Sequence, residues 1–400
     1  MSRSARPAAG ARVAAPPGRR DHRRSRLGLS LLLAAWAALA VPGAGAGDSG
    51  LIRVALTESA GTVEIHGRDI EVSPLRGCPG CPVVSWRTDV VRAAAGGAGV
   101  VIEGRTAAGF RLSSAAPLRF AGRDYPAPLD ILRLGAGLAV VNELPLEEYL
   151  VGVLVAETGD RWSAEALRAQ AIVARTYAAY HRAIAAGRPY HLVASTAHQQ
   201  YAGLTPASSP ARGAVLETAG QVLRWQGELF PAFYHTESGG YTEDPRTVFA
   251  ARNMPALRPV VCPFSIGSPH YYWTLELRLA DLTERLRRGG VEVGRITGIE
   301  VSERTLSLRA TAVTVRGTRG AARLRGNDFR RLVGYDVLKS TLFAVAVDGE
   351  RATFAGRGYG HGVGLCQWGA RGMAEQGYTA AQILEFYYPG AVLGTLEDGR

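Results

Sequence analysis

Glu157 closes the run Leu144–Glu157, LPLEEYLVGVLVAE, in which Leu150 to Ala156 is almost entirely apolar. A carboxylate in the last turn of a helix faces the negative end of the macrodipole, and apolar neighbours withdraw it from water. Both effects raise its pKa, and a carboxyl kept neutral near pH 7 can protonate a leaving-group oxygen. The plain alternative is a solvated glutamate at a helix end. Two glycine-rich segments could supply backbone donors to a ligand. One runs His235-Thr236-Glu237-Ser238-Gly239-Gly240-Tyr241-Thr242-Glu243, which can also be read as a hairpin turn with incidental polar residues. The other, from Gly356 to Gly364, carries His361 and resembles a nucleotide-binding loop only superficially, because no strand-to-helix phosphate cradle with a correctly spaced acid follows.

Metal or redox chemistry has less to draw on. Cys78-Pro79-Gly80-Cys81 has the spacing of a redox motif or half a zinc site. It lacks a surrounding βαβ pattern or a second such motif, so a local disulfide or two idle thiols is the expectation. His191 and His198 are two possible zinc ligands, but a closed structural site usually needs four, and no cysteine lies between Gly187 and Val261. Tyr190 and Tyr201 could present flat surfaces to sugar rings or be half-buried core aromatics.

The elements that must position these groups follow from local pattern. Pro145 suits a first helical turn, and Glu147 and Glu148 sit near the positive dipole end. Thr158-Gly159-Asp160 stops that helix. Ser163 can cap the next, an alanine-rich run reaching to Gly187, along which Arg168, Arg175 and Arg182 fall on one stripe. From Leu51 to about Val141, runs such as LIRVAL, TVEIHG and GLAVVN alternate with turn residues and read as strands. Asp281 to Arg288 reads as a helix, Val291 to Val315 as strands, and Ala370 to Gln376 and Ala380 to Tyr388 as helices, the last with Thr379 as N-cap. The predicted class is α+β, with a β-rich region over 51–141 and a catalytic core whose first part is 142–274. An inserted α/β subdomain over 275–342 precedes a segment over 343–393 that completes the core.

Composition bounds the rest. The chain has 400 residues, is 47% hydrophobic and has a net charge of +11. The first 46 residues hold eight arginines and one aspartate, so most of that charge is theirs and nothing afterwards calls for nucleic acid. This stretch has a basic region to Arg26, an apolar run from Leu27 to Val41 and Ala44-Gly45-Ala46. That is the layout of a signal peptide over 1–46, its apolar run shorter than the roughly 20 residues of a span. An exported protein of the periplasm or cell envelope is expected, a retained N-terminal anchor being the second reading. Four cysteines allow three pairings, of which Cys78 with Cys81 and Cys262 with Cys366 is expected.

Three segments, LPLEEYLVGVLVAE, ALRAQAIVARTYAAYH and GRGYGHGVGLCQWGARGMAEQGYTAAQILEFYYPG, resemble the stage II sporulation protein D family, which shares its domain with the amidase enhancer LytB. The likeness spans roughly Leu51 to Leu393 in the family's order. It implies a lytic transglycosylase that cuts peptidoglycan glycan strands with Glu157 as acid and then base, leaving 1,6-anhydro-muramic ends. Glu157 stands where the family has Glu-Met-Pro; here Thr158 and Gly159 follow, which leaves the acid and alters the turn. The resemblance also implies a role in activity for Arg175, orienting Glu157 or holding the glycan. It suggests substrate contacts from Gln199 and Tyr201 of a Gln-x-Tyr-x-Gly segment, from His235, Ser238 and Gly239, and from His361. Gln170, Tyr177 and Gln367 complete the candidate substrate-binding set, with the loops near His235 and His361 expected to converge on Glu157. Cys366 stands where many members have a small polar residue. No cofactor is expected, zinc being possible because some members bind a metal near here. The partners are peptidoglycan glycan strands and, on the alternative reading of a non-catalytic enhancer, an amidase. A third reading is a hydrolase pairing Glu157 with Asp160, Glu237 or Glu243.

Overall fold

Strand Gly137–Pro145 has unbroken burial from Gly137 to Asn142, the mark of a strand covered on both faces. It lies in an eleven-stranded sheet between Leu51–Ala60 and Leu129–Leu134, pairing antiparallel with both, Leu51 opposite Pro145 and Val54 opposite Asn142. The computed structural model describes residues 50–75, 85–97, 99–159, 161–249 and 254–397. The expected signal peptide, the Cys78–Cys81 pair and Asp160 lie outside the described residues. The fold is α+β, and no helix among the described residues is long and apolar enough to cross a membrane.

The strand ending at Pro145 runs directly into helix α1 (Leu146–Glu157), so the sheet aims the helix. Pro145 is its N-cap, and Glu147 and Glu148 fall in the first turn. Helix α2 (Ala164–Ile184) follows after a short corner, with Ser163 at the N-cap but without a side-chain cap bond. Ala171, Ala174 and Ala178 let α2 approach α1 and the sheet, joining Leu150, Leu154 and Ile52 in one core. Ala169, Ile172 and Val173 on another face of α2 join a second core with Leu365, Ile383 and Tyr387. One helix thereby walls two cores. Gly152 brings α1 against the following loop, because a Cβ there would lie 2.5 Å from the Tyr201 ring.

That second core is closed by helices Gln367–Glu375 and Ala380–Tyr387, the latter opened by a capping box between Thr379 and Gln382. Two short parallel strands, Tyr234–His235 and Leu365–Cys366, tie it to the middle of the chain. A third core lies under sheet Tyr272–Arg278, Arg351–Arg357 and Phe343–Asp348, a second sheet starting at Ile296–Arg304, and helices Leu279–Arg288 and Gly326–Val333. The expected boundary after 141 falls inside strand Gly137–Pro145, and the one after 274 inside strand Tyr272–Arg278.

The expected Cys262–Cys366 disulfide is corrected: both are free, buried thiols. Each has another task. The Cys366 sulfur caps helix Gln367–Glu375 by accepting from Gly369 N at 3.3 Å and also accepts from Ser238 N, while the Cys262 sulfur lies 3.0 Å from the Tyr387 hydroxyl.

Candidate active site

The end of α1 meets the loop after Leu192–Val193 and the strand Tyr234–His235, and Glu157 is the group they surround. Gln200 N donates to Glu157 Oε1 at 2.7 Å. The side chains of Gln367 and Tyr234 lie near the carboxylate, and the Tyr149 and Tyr177 rings lie close enough to feel its charge. Part of the residue still touches solvent, as an acid that meets a substrate must. Burial of the carboxyl group raises its pKa to about 7, against the Gln200 N–H bond and the nearby polar groups of Gln367 and Tyr234, which favour the charged form. Desolvation wins.

Behind it runs a buried polar relay. Tyr149 Oη donates to Gln199 Oε1 at 3.2 Å, and Gln199 Nε2 donates to Tyr234 Oη at 3.1 Å and to Ala174 O at 3.3 Å. With Tyr234 accepting from Gln199, its own proton is left for Glu157. Gln199 is fully buried, so its part is to position Tyr234 and not to touch a ligand.

At the edge, Trp162 and Trp368 meet edge to face with centroids 5.7 Å apart, and the Arg371 guanidinium lies over both rings. Trp162 ends the corner between Glu157 and the Ser163 N-cap, and Trp368 follows Gln367. Both are partly exposed.

Several expected ligand contacts are placed elsewhere. Arg175 does not turn to Glu157. It is fully buried, with Nε and Nη2 donating to both oxygens of Glu147 at 2.8 and 2.6 Å and the remaining donors to Thr218 and to the Gln221 and Val215 carbonyls. A guanidinium so committed pins the first turn of α1 to the chain beyond α2 and has none left for a glycan. Arg168, one stripe position earlier, pairs with Glu165 and Glu217. Tyr201 is buried against Tyr125 and Tyr149, its hydroxyl donating to Asn142 at 3.1 Å, so it is no sugar platform. Tyr190 instead bonds Glu58. Tyr177 is buried within the pocket, and Gln170 is buried on α2 with its amide unpaired.

Among the described residues no hydrogen bond joins the His235 or His361 side chain to Glu157, and the His361 ring bonds the backbone of Tyr234 instead. Successive strand residues point to opposite sides, so Tyr234 faces Glu157 and His235 faces away. His235 Nδ1 lies 3.1 Å from Val363 O, and its ring is 5.5 Å from that of His361, whose Nδ1 accepts from Val363 N at 3.0 Å. Burial and nearby arginines press the His361 pKa down to about 3, so the ring is neutral at physiological pH. Buried Arg309 donates to Ser238 O at 2.6 Å, and Gly239 N donates to Glu237 Oε1 at 2.9 Å. Ser238 and Gly239 thus spend these backbone groups on partners inside the protein. Glu243 accepts from Thr305, Ser307 and Asp244 N, so neither it nor Glu237 stands beside Glu157 as a second carboxylate.

His191 and His198 each accept a backbone N–H at Nδ1, from Arg53 and Val193, and among the described residues no group of three or more metal-binding side chains gathers. Sequence reasoning overlooked Tyr234 and the Trp162–Trp368 pair. The signals available were adjacency to His235 and Gln367 and the odd exposure of tryptophan at a helix corner.

The stage II sporulation protein family matches residues 135–225, and a domain of unknown function (DUF8618) matches residues 265–364. The chain is similar to an uncharacterised protein of Brachyspira hyodysenteriae, 32% identical over 272 residues, 67% of this chain and 72% of that one. It is 31% identical over 268 residues to the stage II sporulation protein D of Bacillus subtilis, covering 62% of this chain and 74% of that one. The amidase enhancer of the same organism is 31% identical over 292 residues, 61% of this chain but 40% of that longer protein.

Proposed function

The chain belongs to the stage II sporulation protein D family, and on that premise we propose that it is a lytic transglycosylase acting on the glycan strands of peptidoglycan in the cell envelope. The observation that carries this reading is one carboxyl group, Glu157, held protonated up to about pH 7 in a pocket of tyrosine and glutamine with no second carboxylate beside it among the described residues. Hydrolysis commonly needs two carboxylates. Intramolecular attack needs one: Glu157 protonates the glycosidic oxygen, the muramic C6 hydroxyl attacks C1, and the carboxylate then takes that hydroxyl's proton. The C1–leaving oxygen bond breaks, a C1–O6 bond forms, and the acid is restored.

Tyr234 and Gln367 orient the carboxylate through the two stages, and Gln200 N stabilises its charged form. The Trp162–Trp368 pair offers the apolar faces on which sugar rings can rest. The likeness to the amidase enhancer favours a second reading, a wall-binding partner that stimulates an amidase without cutting sugar. Mass spectrometry of digested glycan separates the two: anhydro ends support the transglycosylase, reducing ends a hydrolase, and intact glycan with faster amidase turnover the enhancer.

A further inference from the structure

A groove of about 610 Å³ opens on the outer face of sheet Tyr272–Arg278, Arg351–Arg357 and Phe343–Asp348, inside the segment that matches a domain of unknown function. Its floor is low because Ala344, Ala355 and Gly356 line it, and Gly356 is held to glycine by the Trp273 ring, 2.2 Å from where a Cβ would sit. Tyr272 forms one wall with 73% of its surface exposed. Opposite stands Leu308, in a turn tied down by Arg304, which donates to Leu308 O at 2.8 Å and Phe343 O at 2.9 Å. Two guanidinium groups, of Arg304 and Arg357, border the groove and no acidic side chain lines it. Arg357 forms no ion pair among the described residues.

The groove is joined to the acid site by aromatics. Trp368, beside Gln367, has His270 6.5 Å away between centroids, and His270-Tyr271-Tyr272 are consecutive, with the Tyr271 and Tyr272 rings 4.8 Å apart. Rings therefore lead from Trp162 through Trp368 to His270, which adjoins along the chain the tyrosines at the groove. An open trench with a flat ring on one wall and unneutralised arginines at its border matches a sugar chain that carries carboxylates: the ring takes an apolar sugar face, and the planar fork takes the carboxylate.

We infer that this groove is a distal subsite for an acidic glycan, holding a strand that extends from Glu157 past Trp368 and recognising its carboxylates through Arg357 and Arg304. This rests on the proposed action on peptidoglycan. The carboxylates could be the lactyl groups of stripped strands or those of stem peptides, which share the same chemistry at the arginines.

The test measures binding by calorimetry to protein carrying Glu157→Gln, so that strands stay whole, with Tyr272→Ala or Arg357→Gln added. The ligands are long stripped strands, long strands with stem peptides, and a neutral chitin oligomer of similar length. We expect each added substitution to weaken binding of long acidic strands by about tenfold, the loss of one stacked ring or one charge-assisted pair. Arg357→Lys should recover part of the loss, and the neutral oligomer should feel Tyr272→Ala but not Arg357→Gln. A drop confined to stripped strands assigns the lactyl group; a drop confined to peptide-bearing strands assigns the peptide. Unchanged affinity for both acidic strands, with unchanged melting temperatures, overturns the subsite. Equal loss for the neutral oligomer with Arg357→Gln overturns carboxylate recognition. Cleavage products of the chain with Glu157 intact are read separately, so a failed subsite leaves the transglycosylase standing, and the reverse holds as well.

Discussion

The Gln199 amide donates to the Tyr234 hydroxyl at 3.1 Å, and this bond fixes which way the tyrosine proton points. With its oxygen accepting from Gln199, Tyr234 keeps its own proton free for the nearby Glu157. The acid is thus oriented by a residue that never meets the substrate.

The pH dependence follows from that geometry. Burial raises the Glu157 pKa to about 7, so the acid form predominates below that pH and kcat/KM falls about tenfold per unit above it. The Tyr234 hydrogen bond favours the carboxylate, so Tyr234→Phe removes a stabiliser of the charged form and the alkaline limb moves to higher pH. A pH–rate profile of glycan cleavage reads the displacement, which a merely structural effect would not produce.

The tryptophan pair predicts a binding defect. Trp162→Ala and Trp368→Ala should each raise KM for glycan strands several-fold, roughly the worth of one aromatic contact, with a smaller change in kcat for Trp162. Trp368 adjoins Gln367, which lies beside the acid, so its loss should lower kcat as well. Steady-state kinetics on soluble strands separates the two.

Arg175 predicts a stability defect. Arg175→Met strands Glu147 and empties three further acceptor positions, at a cost of about 3 kcal/mol because Glu147 keeps some access to water. Urea unfolding should show the loss, while the folded fraction keeps the wild-type pH profile. A displaced profile with unchanged stability would return Arg175 to the chemistry.

Gly152→Ala tests the packing that sets the end of α1. The new methyl would meet the Tyr201 ring at 2.5 Å and the Gly203 carbonyl oxygen at 2.7 Å, and overpacking of this kind costs about 1–3 kcal/mol. Thermal unfolding should fall accordingly, and more than for alanine at open Gly213.

Much of this architecture could be read in the sequence where local pattern decides it. Apolar runs located α1 and α2, and Thr379 was legible as the N-cap of the last helix. Glu157 stood out because its surroundings along the chain already imply desolvation. What failed was judgement of residues whose meaning depends on distant partners. Arg175 looked available because Glu147 lies 28 residues away along the chain. His235 looked like a substrate contact and its neighbour Tyr234 did not, because a two-residue strand carries no periodicity from which to tell its faces.

The most direct test is a digest of purified glycan strands, stripped and peptide-bearing, by this protein and by Glu157→Gln, with products identified by mass spectrometry. The account predicts 1,6-anhydro-muramic ends from the first and none from the second, both proteins having the same melting behaviour. Anhydro ends still produced by Glu157→Gln, or reducing ends produced by the unmodified protein, would contradict it.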